Sequence, residues 1–174
     1  MKYGSFIISL FLLLLVGCAS SPYHTSSSEY FRRESRTPDS LPSPQVGYFN
    51  WPLNGYVSSG YGRRHGRFHE GIDIPARKGT IVKAARSGRV IYAGNRIRGY
   101  GNVVVIKHND DYSTVYAHLS KMDVRGGQFI NRGQWIGRVG RTGHATSPHL
   151  HFEIRIGHYP VNPLLFLQAQ YASH

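Results

Sequence analysis

The stretch Asn102–Ser120, NVVVIKHNDDYSTVYAHLS, sets two apolar runs on either side of a short polar cluster. Each run is rich in Val, Ile, Thr and Tyr and too short for a helix, so Asn102–His108 and Ser113–His118 read as strands. KHNDDYS between them reads as a hairpin connection. Working outward, Thr80–Ala84, Arg89–Ala93, Trp135–Val139 and His149–Ile156 have the same character. The segments ARSGRV and NRGQWIG read as turns, with Gly and Asn supplying positive φ. No apolar pattern of helical period lasts beyond a couple of turns. The expected fold class is therefore mainly β, an antiparallel sheet, with Pro163–Gln168 as a short terminal helix.

Within this pattern, His149 and His151 in HLHFEIR fall on one face of a strand, while Leu150 and Phe152 face the core. Two imidazoles in one cavity gain little from each other unless a metal ion or a proton relay joins them. Glu153 shares their face, either as a partner behind the histidines or as a plain structural carboxylate. A second cluster, RFHEGIDIP, places His69 and Asp73 four residues apart, with Gly71 letting the backbone bend between them. His118 ends the apolar run TVYAH at a strand edge. Together these residues offer the donors of a zinc site without the helical HExxH arrangement. Arg63, Arg64 and Arg67, with His65, make a basic loop beside His69, suited to attracting the carboxylates of an acidic substrate. His24, His108, His144, His158 and His174 carry no motif.

The chain has 174 residues and a formal net charge of +12, so one domain with an anionic partner is expected. Charge alone does not separate nucleic acid, anionic lipid and an acidic wall polymer. The N-terminus does: after Met1-Lys2-Tyr3, the apolar segment Phe6–Val16 has the length of a signal-peptide core. It leads into LLVGC, where Cys18 is the sole cysteine. This resembles a bacterial lipobox, which implies a lipoprotein signal peptide over residues 1–17 and lipidation of Cys18. The chain would be anchored to a membrane in the cell envelope by several acyl chains. With Ala19 rather than Asp after the cysteine, the resemblance implies an outer-membrane anchor facing the periplasm in a host with two membranes. Export argues against nucleic acid as the partner. A lone cysteine also excludes an intramolecular disulfide and any cysteine-rich zinc site. Residues 18–47, rich in Ser, Thr and Pro, read as a disordered tether with a span of roughly 30 Å. Residues 48–174 form the globular domain.

Three motifs in order, HEGIDI, VYAHLS and SPHLHFEI, resemble the hallmarks of the lysostaphin/LytM family of peptidoglycan zinc metallopeptidases. The segment Gly88–Leu119 is similar to the NlpD group of lipoproteins within it. The resemblance implies a duplicated hybrid β motif with long active-site loops. It also implies one Zn2+ per chain held by His69, Asp73 and His151. His149 would be the general base, and His118 would orient the water or stabilise the oxyanion, with the two roles exchangeable. The implied function is a membrane-anchored endopeptidase that cuts peptide cross-links or stem peptides of peptidoglycan in wall remodelling or division. Many members of the NlpD group lack the metal ligands and activate amidases instead. A non-catalytic activator is thus the alternative, with an amidase or division proteins as partners.

Overall fold

The computed structural model describes residues 46–64, 66–108 and 111–169. Cys18, the signal segment, the tether up to residue 45, His24, His65 and His174 lie outside the described residues. In chain order the strands are β1 (Gly62–Arg64), β2 (Arg67–His69), β3 (Ile72–Pro75), β4 (Ile81–Lys83), β5 (Gly88–Gly94) and β6 (Asn102–Lys107). They are followed by β7 (Tyr112–Met122), β8 (Phe129–Ile130), β9 (Trp135–Val139), β10 (His149–Ile156) and β11 (Tyr159–Val161). The first two pair as a hairpin; the other nine form one antiparallel sheet with a central path β11-β10-β7-β6-β5-β8. Strand β3 lies along β10, and β9 bridges β7 to β4. The antiparallel, mainly β architecture is as expected.

β6 and β7 form the hairpin read from the sequence, in the register Val105↔Val115 and Lys107↔Ser113. They sit mid-sheet and are covered on both faces, which explains why six successive residues from Tyr112 to Ala117 are buried instead of alternating. On one face Val104, Ile106, Tyr116, Phe152 and Ile154 join the main core; on the other, Val103, Val115 and Ala117 pack with Tyr92 and Tyr100. The two ends of the globular part are tied together. Phe49 N–H donates to Phe166 O at 3.1 Å and Gln168 N–H to Phe49 O at 3.0 Å.

Several local expectations need correction. Strand β7 does not stop at His118 but runs on to Met122. The expected terminal helix is only a 3-10 turn, Pro163–Leu165, capped by the Asn162 side chain. A run of six residues containing Pro163 at its start has too few main-chain bonds to sustain more than one turn. Gly133 does take a turn φ of 80°, but Gly88 is absent from the positive-φ glycines. Gly88 is needed because a Cβ there would collide with Lys107 O and His108 on the neighbouring strand.

Candidate functional site

Four strands converge on one cleft of about 620 Å3. Its lining includes His69 from β2, Asp73 from β3, His118 from β7, and His149, His151 and Glu153 from β10. The pairing of β3 with β10 sets His151 opposite Asp73, and the pairing of β10 with β7 sets His151 opposite Ala117, one residue from His118. HxxxD therefore works here neither as a helical turn nor as one strand. The chain leaves β2 at His69, passes Gly71 and enters β3, so that the two side chains meet across a strand change. Gly71 is not bent to positive φ. It lies so close to β10 that a Cβ would collide with the Phe152 carbonyl oxygen.

The alternation expected for HLHFEIR is present: Leu150 and Phe152 are fully buried in the core, and His149 and His151 face the cleft. Three atoms meet at the centre. His69 Nε2 lies 3.1 Å from Asp73 Oδ1 and 3.1 Å from His151 Nδ1, and His151 Nδ1 lies 2.9 Å from Asp73 Oδ1. His149 Nε2 is 3.7 Å from the same Oδ1, and the His118 and His149 rings stack edge-on with centroids 4.8 Å apart.

The second nitrogen of each ring decides what the cleft can do. His69 Nδ1–H donates to Gly60 O at 2.7 Å, and His151 Nε2–H donates to Glu153 Oε1 at 2.9 Å. His118 Nδ1–H donates to Thr142 O and His149 Nδ1–H to Ser147 O, both at 2.9 Å. A carbonyl or carboxylate can only accept, so every outward nitrogen carries the proton and every inward nitrogen of a neutral ring is a bare lone pair. With Asp73, the triangle is three acceptors facing one another. Only a positive charge at its centre satisfies them, and a proton or a metal ion would serve. Ligands at 2.0–2.2 Å from tetrahedral zinc stand about 3.4 Å apart. The observed edges are within a few tenths of an ångström of that, so the donor set fits zinc in chemistry and in size.

The electrostatics agree. Burial alone would raise the Asp73 carboxyl, but hydrogen bonds with His151 and His69 outweigh it and hold the group well below the usual carboxylate range. Burial would lower His151, yet bonds to Asp73 and Glu153 lift it to about 9, so a proton competes for the position a metal would take. Burial, with His149 and His151 close by, pushes His118 down to about 4, leaving its ring neutral at pH 7.

Some residues given no role by sequence belong to the cleft. Tyr100, Glu70 and His144 line it, and Arg155 stands behind it on Glu153. Glu70 lies 30 residues from its partner Tyr100 and 85 from its partner Arg155, and no local motif marks them. Of the basic loop, Arg64 lines the cleft with a guanidinium nitrogen 3.4 Å from Asp73 Oδ2, while Arg63 and Arg67 are exposed away from it. His108 is buried in the core instead, bonded to Ser87 O and Thr114 Oγ1.

Comparison with known proteins adds the family. The chain is 46% identical over 125 residues to the murein hydrolase activator NlpD of Escherichia coli, a match covering 72% of this chain and 32% of that protein. It thus spans about a third of the length of such curated relatives. A zinc-containing peptidase from Vibrio cholerae superposes with a TM-score of 0.63 at 37% identity, over 68% of this chain and 40% of the other. The catalytic domain of the antimicrobial peptidase lysostaphin from Staphylococcus simulans superposes at 0.56 and 36% identity, over 63% and 87%. The model of peptidase family M23 matches residues 67–163, from the strand that carries His69 to the turn after β11. More than half of the chain, including every residue of the triangle and both adjoining histidines, falls inside that match: the chain belongs to peptidase family M23.

Proposed function

We propose that the chain is a lipid-anchored zinc endopeptidase of the bacterial cell envelope that hydrolyses stem or cross-link peptides of peptidoglycan. One observation carries this reading: three mutually facing acceptors, His69 Nε2, Asp73 Oδ1 and His151 Nδ1, with two more imidazoles beside them. In it, the three hold one Zn2+ per chain. Zinc bound there would lower the pKa of a water ligand towards neutrality and polarise the scissile carbonyl.

His149 presents its unprotonated Nε2 to the cleft, with Nδ1–H committed to Ser147 O, and acts as general base. It takes the proton of the attacking water and returns it to the departing amine, so the proton count closes over one turnover. His118 has the same polarity: Nδ1–H is spent on Thr142 O and Nε2 can only accept. A neutral ring so held has no proton to give an oxyanion. Orienting the water by accepting its second hydrogen is therefore the better role for His118. Arg64, at the cleft rim, draws in the carboxylates of wall peptides.

A second reading, a non-catalytic activator of a cell-wall amidase, is favoured by the 46% identity to a murein hydrolase activator. Digestion separates the two. Full-length protein in detergent, loaded with zinc, should release fragments with new peptide ends from purified peptidoglycan, identified by mass spectrometry. Chelation should stop it and zinc restore it. His69→Ala, Asp73→Ala and His151→Ala should each lose both zinc and cleavage. His118→Ala and His149→Ala should keep zinc and lose rate by roughly 10²–10⁴-fold. Zinc-loaded protein that releases nothing but stimulates a separate amidase would establish the activator instead.

A further inference from the structure

The polar face of β10 does not end at the metal triangle. Residues two apart on a strand share a face, so His149, His151, Glu153 and Arg155 form one row. Leu150, Phe152, Ile154 and Ile156 are buried on the other side. Glu153 is fully buried, yet both of its oxygens are taken. Oε1 accepts from His151 Nε2–H at 2.9 Å and from the Tyr100 hydroxyl at 2.7 Å, and Oε2 accepts from Arg155 Nε–H at 2.6 Å. A terminal guanidinium nitrogen of Arg155 also donates to the Tyr100 oxygen at 3.1 Å and to the Glu70 carboxylate. A buried ion pair is weak evidence for stability, since apolar residues of similar volume often serve the fold as well. Packing therefore gives little reason for a carboxylate at position 153.

We propose that Glu153 is a positioning residue for His151. It holds the ring with Nε2–H outward, so that the Nδ1 lone pair is turned to His69 and Asp73, and Arg155 and Tyr100 keep the carboxylate fixed and charged. The choice of Nδ1 on His151, against Nε2 on His69, follows from this: Glu153 lies further along the same strand face and claims the far nitrogen. A carboxylate behind a ligating imidazole also makes the inward nitrogen a stronger donor, and its loss typically weakens metal binding 10–100-fold. This rests on reading His69, Asp73 and His151 as the zinc ligands.

The test is zinc affinity of the full-length protein in detergent, by competition with a chromogenic chelator at fixed pH, with urea unfolding in excess chelator measured alongside. Glu153→Gln keeps the shape and an acceptor for His151 but removes the charge, and should bind zinc on the order of 10–100-fold more weakly. Because that change also takes from Arg155 one of its two carboxylate partners, the double variant Glu153→Leu/Arg155→Leu removes the Glu153–Arg155 pair as a unit. It should unfold at close to the parent urea concentration and still lose zinc affinity at least as far. Arg155→Lys, which leaves a cation beside Glu153, should lose less than either. A double variant that folds and binds zinc as tightly as the parent overturns the positioning role, and so does one that fails to fold even with zinc, which would assign the pair to the fold. If the parent itself takes up no zinc, the ligand reading falls first and this inference with it.

Discussion

A histidine offers either ring nitrogen, and its neighbours decide which one faces the work. In this cleft four rings are each decided by an acceptor behind them, Gly60 O, Ser147 O, Thr142 O or Glu153. The cost is an arrangement that resists some protonation states and demands others, and that is visible in pH. His151 is lifted from an ordinary 6.5 to about 9, so it contributes stability fully below pH 6.5 and loses it as pH rises through about 9. His118 is depressed from 6.5 to about 4; the unfolded chain takes up a proton that the folded ring refuses, and stability falls as pH drops from 6.5 towards 4. Asp73 and Glu153, both held below the ordinary carboxylate range, deepen the acid loss. Metal-stripped protein should therefore be most stable near pH 6.5 and weaken on both sides. Zinc, by replacing the His151 proton, should remove the alkaline decline. Urea midpoints across pH 4–9, with chelator and with zinc, test this; a stripped protein whose midpoint climbs steadily from pH 6.5 to 9 would contradict it.

Strands bring these rings together by changing partners. β7 pairs with β10 up to Ala117 and with β9 from Leu119 onward, its register with β6 slips between Tyr116 and Leu119, and His118 sits at the change with a φ of 60°. It is the one non-glycine residue at positive φ among the described residues, a strained backbone placed at a site of chemistry. β3 meets β10 just as closely, with Gly71 against the Phe152 carbonyl. Gly71→Ala should cost about 1–3 kcal/mol through overpacking and, by prising β3 from β10, should weaken zinc binding as well. Gly126→Ala, in open space at ordinary φ, is the control and should change neither. Equal urea midpoints and zinc affinities for the two variants would show that β3 has room to spare. The alternation of β10 and the hairpin of β6 and β7 were legible because each is a local pattern of period two. The chain does bend at Gly71, as its sequence suggests, but the reason for a glycine there is not legible locally because the constraint comes from a strand residue 81 positions away in sequence, Phe152. Glu70, Tyr100 and Arg155 were invisible for the same reason: each is an ordinary residue type whose meaning lies in a partner that only the sheet brings near. His118 was recognised by type, but its φ depends on a strand exchange that no run of apolar residues announces.

At the scale of the whole molecule, the question is how a small basic domain stays with its substrate. A net charge of +12 draws the chain to anionic polymers over about 8–10 Å at physiological salt, but such attraction is unselective and fades as salt rises. Anchoring would restrict the search to the envelope. Two features of the sequence bear on it: the apolar leader Phe6–Val16 and the sole cysteine, Cys18, directly after Gly17. If Cys18 carries the lipid, a tether over residues 18–47 lets the domain sweep roughly 30 Å from the membrane, and a single side chain decides its address. Cys18→Ser should then leave an unprocessed precursor that takes up no labelled fatty acid and no longer partitions with lipoproteins. The purified variant should keep the zinc affinity and peptide release of the parent, since the triangle lies in another part of the chain. With Ala19 in place of Asp, the parent protein should fractionate with the outer membrane of a two-membrane host. Labelling and processing of Cys18→Ser at the parent level would remove the anchor, and recovery of the parent in the inner membrane would keep the anchor but change its address.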